Sequence, residues 1–129
     1  MSEKFIVEII TPDSSILKSE TEEVTIPSYE GQIGILKDHI PLITFLRPGL
    51  ISIKGHENKK YYVEEGTVEF LNNNLLILTT TIKELSNANK DFIDSLILEA
   101  EKKFKDNKAT DKEKYLLSYK IDTLKEINQ

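Results

Sequence analysis

Two hydrophobic periods divide this chain. From Phe5 to Thr81 apolar residues recur at alternate positions in short runs, and beyond Leu85 they recur at spacings of three and four. Phe5, Val7 and Ile9 alternate with Glu8 on the other side, which predicts a first strand ended by the turn Pro12-Asp13-Ser14-Ser15. Short strands follow over Ile16 to Lys18 and over Glu23 to Ile26, the second with Val24 and Ile26 inward, and Pro27 to Gly31 turns the chain. Leu50 to Lys54 alternates again and passes through Gly55-His56-Glu57-Asn58, a hairpin turn, into Lys60 to Glu64. Gly66 opens a further hairpin in which Thr67 to Leu71 and Leu75 to Thr81 are joined by Asn72-Asn73-Asn74, residues suited to left-handed turns. Eight or more short strands with turn signals between them predict an antiparallel sandwich or barrel.

The stretch Glu30 to Lys54 concentrates the backbone punctuation: three of the five glycines and two of the four prolines stand there between apolar runs. Gly31 and Gly34 predict positive φ or close backbone approach. Pro41 pushes Ile40 towards an extended conformation, and Pro48-Gly49 reads as a turn between strands. Such a corner is expected to bury Ile33, Ile35, Leu36, Leu42, Ile43 and Leu46 while leaving Asp38 and His39 outside.

Past Leu85, Ser86, Asn87 and Asn89 are N-cap candidates, with Asp91 and Asp94 in an opening helical turn. Ile93, Leu96, Ile97, Ala100 and Phe104 fall on one helical face. Lys105 to Ala109 is a polar break. Thr110 with Glu113 three residues on forms a capping box, and the second helix carries Leu117, Ile121 and Leu124 on a stripe flanked by Leu116 and Ile127. Two short amphipathic helices with a polar link predict an antiparallel hairpin. The expected architecture is therefore mainly β with α, a β-sandwich over residues 1–85 and a helical hairpin over 86–129.

Charge sharpens that division. Residues 1–85 hold thirteen acidic and eight basic side chains, whereas residues 86–129 hold nine of each. All glycines and prolines lie in the first part. A net charge of −5 argues against a nucleic-acid surface, which needs basic character. No apolar run is long enough to insert in a membrane, and MSEKFIVEII does not read as a signal peptide. The absence of cysteine removes disulfides, thiolate metal sites and cysteine nucleophiles.

Candidate chemistry is sparse. Asp38-His39 is the one place where acid–base or metal chemistry could start, and neither HxH, HExxH nor Gly-x-Ser-x-Gly occurs. His56 lies in a charged turn. The pairs Glu22-Glu23 and Glu64-Glu65 point to opposite faces of a strand and so do not form paired carboxylates. Gly31-Gln32-Ile33-Gly34 lacks the lysine and hydroxyl of a phosphate loop. Lys102, Lys103 and Lys105 are interleaved with Glu99, Glu101 and Asp106, a solvated helix face. No catalytic, cofactor or metal site is expected.

The run Glu30-Gly31-Gln32-Ile33-Gly34-Ile35-Leu36, then Asp38-His39-Ile40-Pro41-Leu42-Ile43-Thr44 and Leu46-Arg47-Pro48-Gly49, resembles the signature of the epsilon chains of bacterial and organellar ATP synthase. Phe5 to Pro12, Glu23 to Pro27 and Val63 to Thr79 resemble further strands of that family, so the likeness spans nearly the whole chain. It implies a sandwich of about ten strands, a helical hairpin, and a non-catalytic role in the rotating central stalk that couples proton flow to ATP synthesis. It also implies a peripheral location on the cytoplasmic face of the bacterial inner membrane. The gamma chain would meet a flank including Thr11, Asp38, His39, Ile40, Pro41 and Leu42, and Gln32 would lie towards the polar loops of the c-ring. The hairpin, in relatives where it extends, reaches the catalytic alpha/beta head and obstructs hydrolysis.

Two departures bear on this. Some relatives carry an acidic residue at the position of Gln32. Relatives whose hairpin binds ATP carry (Ile/Leu)-Asp-x-x-Arg-Ala, where this chain reads Ile93-Asp94-Ser95-Leu96-Ile97-Leu98. An apolar Ile97 cannot neutralise phosphate, so ATP sensing of that kind is not expected. Outside the family, the runner-up reading is a free-standing sandwich that closes its hairpin over a small ligand, and an enzyme using His39 stands a distant third.

Overall fold

The computed structural model describes residues 3–85, 90–106 and 108–127. The chain divides into two compact units, Met1–Glu84 and Leu85–Gln129. The first unit is a curled sheet of ten strands: β1 (Phe5–Ile10), β2 (Ser15–Thr21), β3 (Glu23–Ser28), β4 (Gly31–Leu36), β5 (Leu42–Leu46), β6 (Gly49–Lys54), β7 (Lys59–Val63), β8 (Gly66–Leu71), β9 (Asn74–Leu78) and β10 (Ile82–Glu84). Their order is β10-β7-β6-β3-β5-β8-β9-β1-β2, with β4 added on β3. Alternation turns Phe5, Val7, Ile9, Val68, Phe70, Leu75 and Ile77 inward onto Val24, Ile26, Ile35, Ile51 and Tyr61, which form one closed core. Each such side chain contributes about 1.5–3 kcal/mol by leaving water.

Three features depart from the expected pattern. β1 pairs with β9 in parallel, Ile6 opposite Asn74 through Ile10 opposite Leu78, although the other pairings are antiparallel. Alternation fixes which face a residue takes but not the direction of its neighbour. Pro27 lies within β3 rather than in a turn, because the partner on that side of β3 passes there from β6 to β5. A residue without an N–H is tolerated where the ladder is already interrupted. Finally, Leu36 is 54% exposed and Ile43 lies on the outer face of β5, so the corner buries only Ile35 and Leu46 fully, with Ile33 and Leu42 partly buried against the core.

Gly31 has a φ of 120°, as its sequence context predicts, whereas Gly34 has neither a positive φ nor a close neighbour and serves as an ordinary strand residue. Gly66 is held both by its backbone conformation and by a close neighbour. With φ at 153°, a Cβ there would stand 2.5 Å from the Leu78 carbonyl oxygen. The turn between β8 and β9 is made by Asn72 (φ 51°) and Asn73 (φ 60°), successive left-handed residues of the kind a two-residue hairpin requires.

In the second unit α1 (Lys90–Phe104) packs on α2 (Asp111–Ile127), burying Ile93, Ala100 and Leu124. Phe104 remains exposed, and only Asp91 stands in the first turn of α1, Asp94 lying beyond it. The cap candidates Ser86, Asn87 and Asn89, and the side chain of Ile127, lie outside the described residues. Thr110 does cap α2: the Glu113 N–H donates to its Oγ1 at 3.1 Å, and the Lys114 N–H donates to its carbonyl at 2.9 Å. Lys103 pairs with Glu99 one turn away, and Lys125 with Glu101 across the two helices, each at 3.3 Å. Lys103 and Lys125 thus belong to a solvated, charge-matched surface.

Candidate interaction surface

The loop between β4 and β5 is built around an unusual backbone. The His39 N–H donates to the Leu36 carbonyl at 3.1 Å, closing a four-residue turn whose third residue, Asp38, has a φ of 65°. That is the positive φ a type II turn demands, usually met by glycine or asparagine. Immediately beyond, the Pro41 ring holds Ile40 and Pro41 away from the sheet, and both are exposed.

Asp38 and His39, adjacent in sequence, turn to different partners. The Asp38 carboxylate accepts from Asn73 Nδ2 at 3.0 Å. His39 Nδ1 lies 2.7 Å from the Ile40 carbonyl, which can only accept, so this nitrogen carries the proton. The imidazole also stands edge-on to Phe70 with ring centres 5.9 Å apart, and Phe70 is edge-on to Phe5 at 5.6 Å. His39 is therefore anchored to the core rather than aimed at a reacting group. Such an arrangement orients a surface and offers no nucleophile–base pair.

The surface itself is apolar. On β5, Ile43 is 77% and Phe45 60% exposed, and Ile40 in the preceding loop is 74% exposed. Register sets Phe45 opposite Thr67, which is opposite Leu78, and Ile43 opposite Glu69. Exposed Leu71, Leu78 and Ile6 continue the same outer face across β8, β9 and β1. Scattered exposed leucines are ordinary, but Ile40, Ile43 and Phe45 stand exposed along one strand and the loop before it, with further apolar residues on the same face of three neighbouring strands, which makes this face a candidate contact surface. Sequence reasoning expects Ile43 in the core and does not single out Phe45, Leu71 or Leu78. The signal in the chain is apolar residues on both faces of β5 and β9, which can equally mean a strand buried twice.

The residues predicted for the site do not form one cluster. Asp38 to Leu42 stand together at the end of the sheet where Asn73 turns. Thr11 closes the β1–β2 turn, with its Oγ1 donating to the Ser14 carbonyl at 3.2 Å, and the Thr79 N–H donates to the neighbouring Ile10 carbonyl at 3.1 Å. Thr79 is six residues on from Asn73 with β9 between them, so Thr11 lies roughly 20 Å from the Asn73 end in the strand direction. Gln32 is exposed and opposite Pro27, whose carbonyl accepts from the Arg47 N–H at 3.1 Å, so it too belongs to the end away from Asp38. In α1, Ile97 is half-buried and Leu98 exposed, so an apolar side chain stands at the arginine position of the phosphate-binding pattern.

Comparison with known proteins gives these features a frame. The family described as "ATP synthase, Delta/Epsilon chain, beta-sandwich domain" matches residues 4–84. Over its full length the chain is similar to the ATP synthase epsilon chain of Pelagibacter ubique, with 48% identity across 99% of this chain and 100% of that protein. It is 33% identical to the ATP synthase epsilon chain of Herpetosiphon aurantiacus across 81% of this chain and 78% of that one. Among solved structures, a chain of the Euglena gracilis mitochondrial ATP synthase (OSCP/F1/c-ring) superposes with a TM-score of 0.82 at 19% identity, covering 100% of this chain and 83% of that chain. A chain from the central stalk and c-ring of the Tetrahymena thermophila mitochondrial ATP synthase gives a TM-score of 0.67 at 14% identity, covering 96% of each. At those identities the structural likeness is one of fold, while the sequence matches carry the assignment. The chain belongs to the ATP synthase delta/epsilon family, among its epsilon chains.

Proposed function

We propose that this epsilon chain works as a non-catalytic rotor subunit: its sandwich binds the gamma chain of the ATP synthase, its Gln32 end lies towards the polar loops of the c-ring, and it helps pass rotation driven by proton flow to the catalytic head. The observation that carries this reading is the exposed apolar face of β5, Ile43 and Phe45, running on from the Ile40-Pro41 loop. An apolar centre rimmed by Asp38, His39, Thr67 and Glu69 has the composition of a protein–protein interface. The Tetrahymena chain of like fold, which comes from a central stalk with its c-ring, supports the same station. Thr11, Asp38, His39, Ile40, Pro41 and Leu42 belong to the proposed gamma-chain contact, with Ile43 and Phe45 added from the structure. The hairpin reaches the alpha/beta head only if it extends. Among the described residues no helix is long and apolar enough to cross a membrane, and a peripheral position on the cytoplasmic face of the bacterial membrane follows from the proposed partners.

Co-elution with the gamma chain of the same organism tests the reading. A one-to-one complex is expected, and Phe45→Asp, which sets a charge in the middle of the apolar strip, should weaken it at least tenfold, about 1.4 kcal/mol. Separate elution at micromolar concentration would leave only the fold. The free-standing ligand-binding alternative is disfavoured by identity to an epsilon chain across the whole length.

A further inference from the structure

A clasp of side chains holds the loop that presents this surface. The Asp38 N–H donates to Asn73 Oδ1 at 2.7 Å, and Asn73 Nδ2 donates back to Asp38 Oδ1 at 3.0 Å, across 35 positions of sequence. The Asn73 carbonyl in turn accepts from the Ile6 N–H at 3.0 Å. Three separate segments therefore meet at Asn73: the start of β1, the β8–β9 turn and the β4–β5 loop. Both clasp residues sit in the left-handed region, at φ 65° and 60°, a conformation that asparagine and aspartate adopt more readily than other side chains. Only an amide fills both roles at position 73, accepting through Oδ1 and donating through Nδ2. A carboxylate there could accept the Asp38 N–H only by facing the Asp38 carboxylate with no proton between them, and that repulsion drives the two side chains apart and opens both bonds of the clasp.

We propose that Asn73 is a positioning residue for the partner surface. By fixing the loop of residues 37–41, it presents Ile40 and Pro41 with the outer face of β5 as one preformed surface, which removes loop ordering from the cost of docking. The proposal rests on the reading of that surface as the gamma-chain contact. Asn73 acts through Asp38 and is not itself required to touch the partner.

The test is a double-mutant cycle in the full chain, with gamma-chain affinity and the exchange of the Asp38 amide proton in the free chain as readouts. Asn73→Asp should weaken gamma-chain binding by roughly tenfold, chiefly through faster dissociation, and should speed exchange at Asp38. In the Asp38→Asn background the same change should cost less than about twofold, because the introduced amide at 38 can donate to the introduced carboxylate at 73. Equal losses in both backgrounds would overturn the clasp, since the effect would then belong to position 73 alone. Weakened binding with unchanged Asp38 exchange would overturn the positioning role and make Asn73 a direct contact. An unaffected affinity in Asn73→Asp would overturn the proposal while leaving the interface standing. Failure of the unaltered chain to bind the gamma chain would overturn the interface reading itself.

Discussion

Individual residues here are constrained by the groups that face them more than by their own chemical type. Tyr62 is buried, and its phenol donates to Glu64 Oε1 at 3.4 Å. Burial first, then the Glu64 charge and that hydrogen bond, raise its pKa well above the ordinary 10.0. Tyr61 shifts the same way, by burial and then by the charge of Glu84, the residue opposite it on β10. A folded-state pKa above the unfolded value means that the neutral phenol stabilises the fold. The contribution is fully present below pH 10.0 and is lost as the pH climbs above that value, where the unfolded chain releases its proton and the folded chain keeps it. Urea midpoints should therefore fall between about pH 9.5 and 11.5, and fall less steeply in Tyr62→Phe; identical slopes would remove Tyr62 from the cause. Nothing in the run Lys60-Tyr61-Tyr62-Val63 announces this, because alternation would bury one tyrosine and expose its neighbour, whereas both are buried.

At the scale of elements, local signals work where the partner of a group lies within a few residues. The Thr110–Glu113 cap, the left-handed asparagines after β8 and the positive φ of Gly31 are all short-range. Thr110→Ala should cost about 1 kcal/mol at the start of α2, seen as faster amide exchange at Glu113, while protection in the sandwich stays unchanged. Unaltered exchange at Glu113 would mean that solvent replaces the cap without loss. Local signals fail at Gly34, Leu36 and Ile43. Their burial or backbone depends on which strand lies alongside, and an apolar residue on the outer face of β5 reads in sequence like one on the inner face. Two of the residues most central to the candidate surface, Ile43 and Phe45, are hidden by this ambiguity.

For the whole molecule, the separation into two units has consequences that can be measured. The residues of the sandwich core all lie in the first unit. A fragment of residues 1–85 should fold alone, with one cooperative thermal transition and the β-sheet dichroism of the intact chain. The remaining helices, of 15 and 17 residues, are near the length at which isolated helices are marginal in water. If the hairpin obstructs hydrolysis by extending, the assembled enzyme carrying the fragment should also hydrolyse ATP faster. A fragment without cooperative unfolding would show that the second unit is needed for the first to fold.

Local pattern along the chain is enough to establish the class of fold, where most strands lie along the chain, the change of period near Leu85, and the family. Alternation, turn residues and the Gly/Pro spacing of residues 30–54 are properties of neighbouring positions and need no fold to be read. The same pattern singles out Asp38 and His39 as the exposed residues of a corner. Packing in three dimensions sets the parallel β1–β9 pair, the outward placement of Ile43 and Phe45, the distance of Thr11 and Gln32 from His39, and the union of Asp38 with Asn73. Each of these depends on strand order and register, which follow from the simultaneous burial of side chains far apart in sequence. A one-dimensional pattern records that a residue is apolar; whether it faces the core or a partner is a property of the packed sheet.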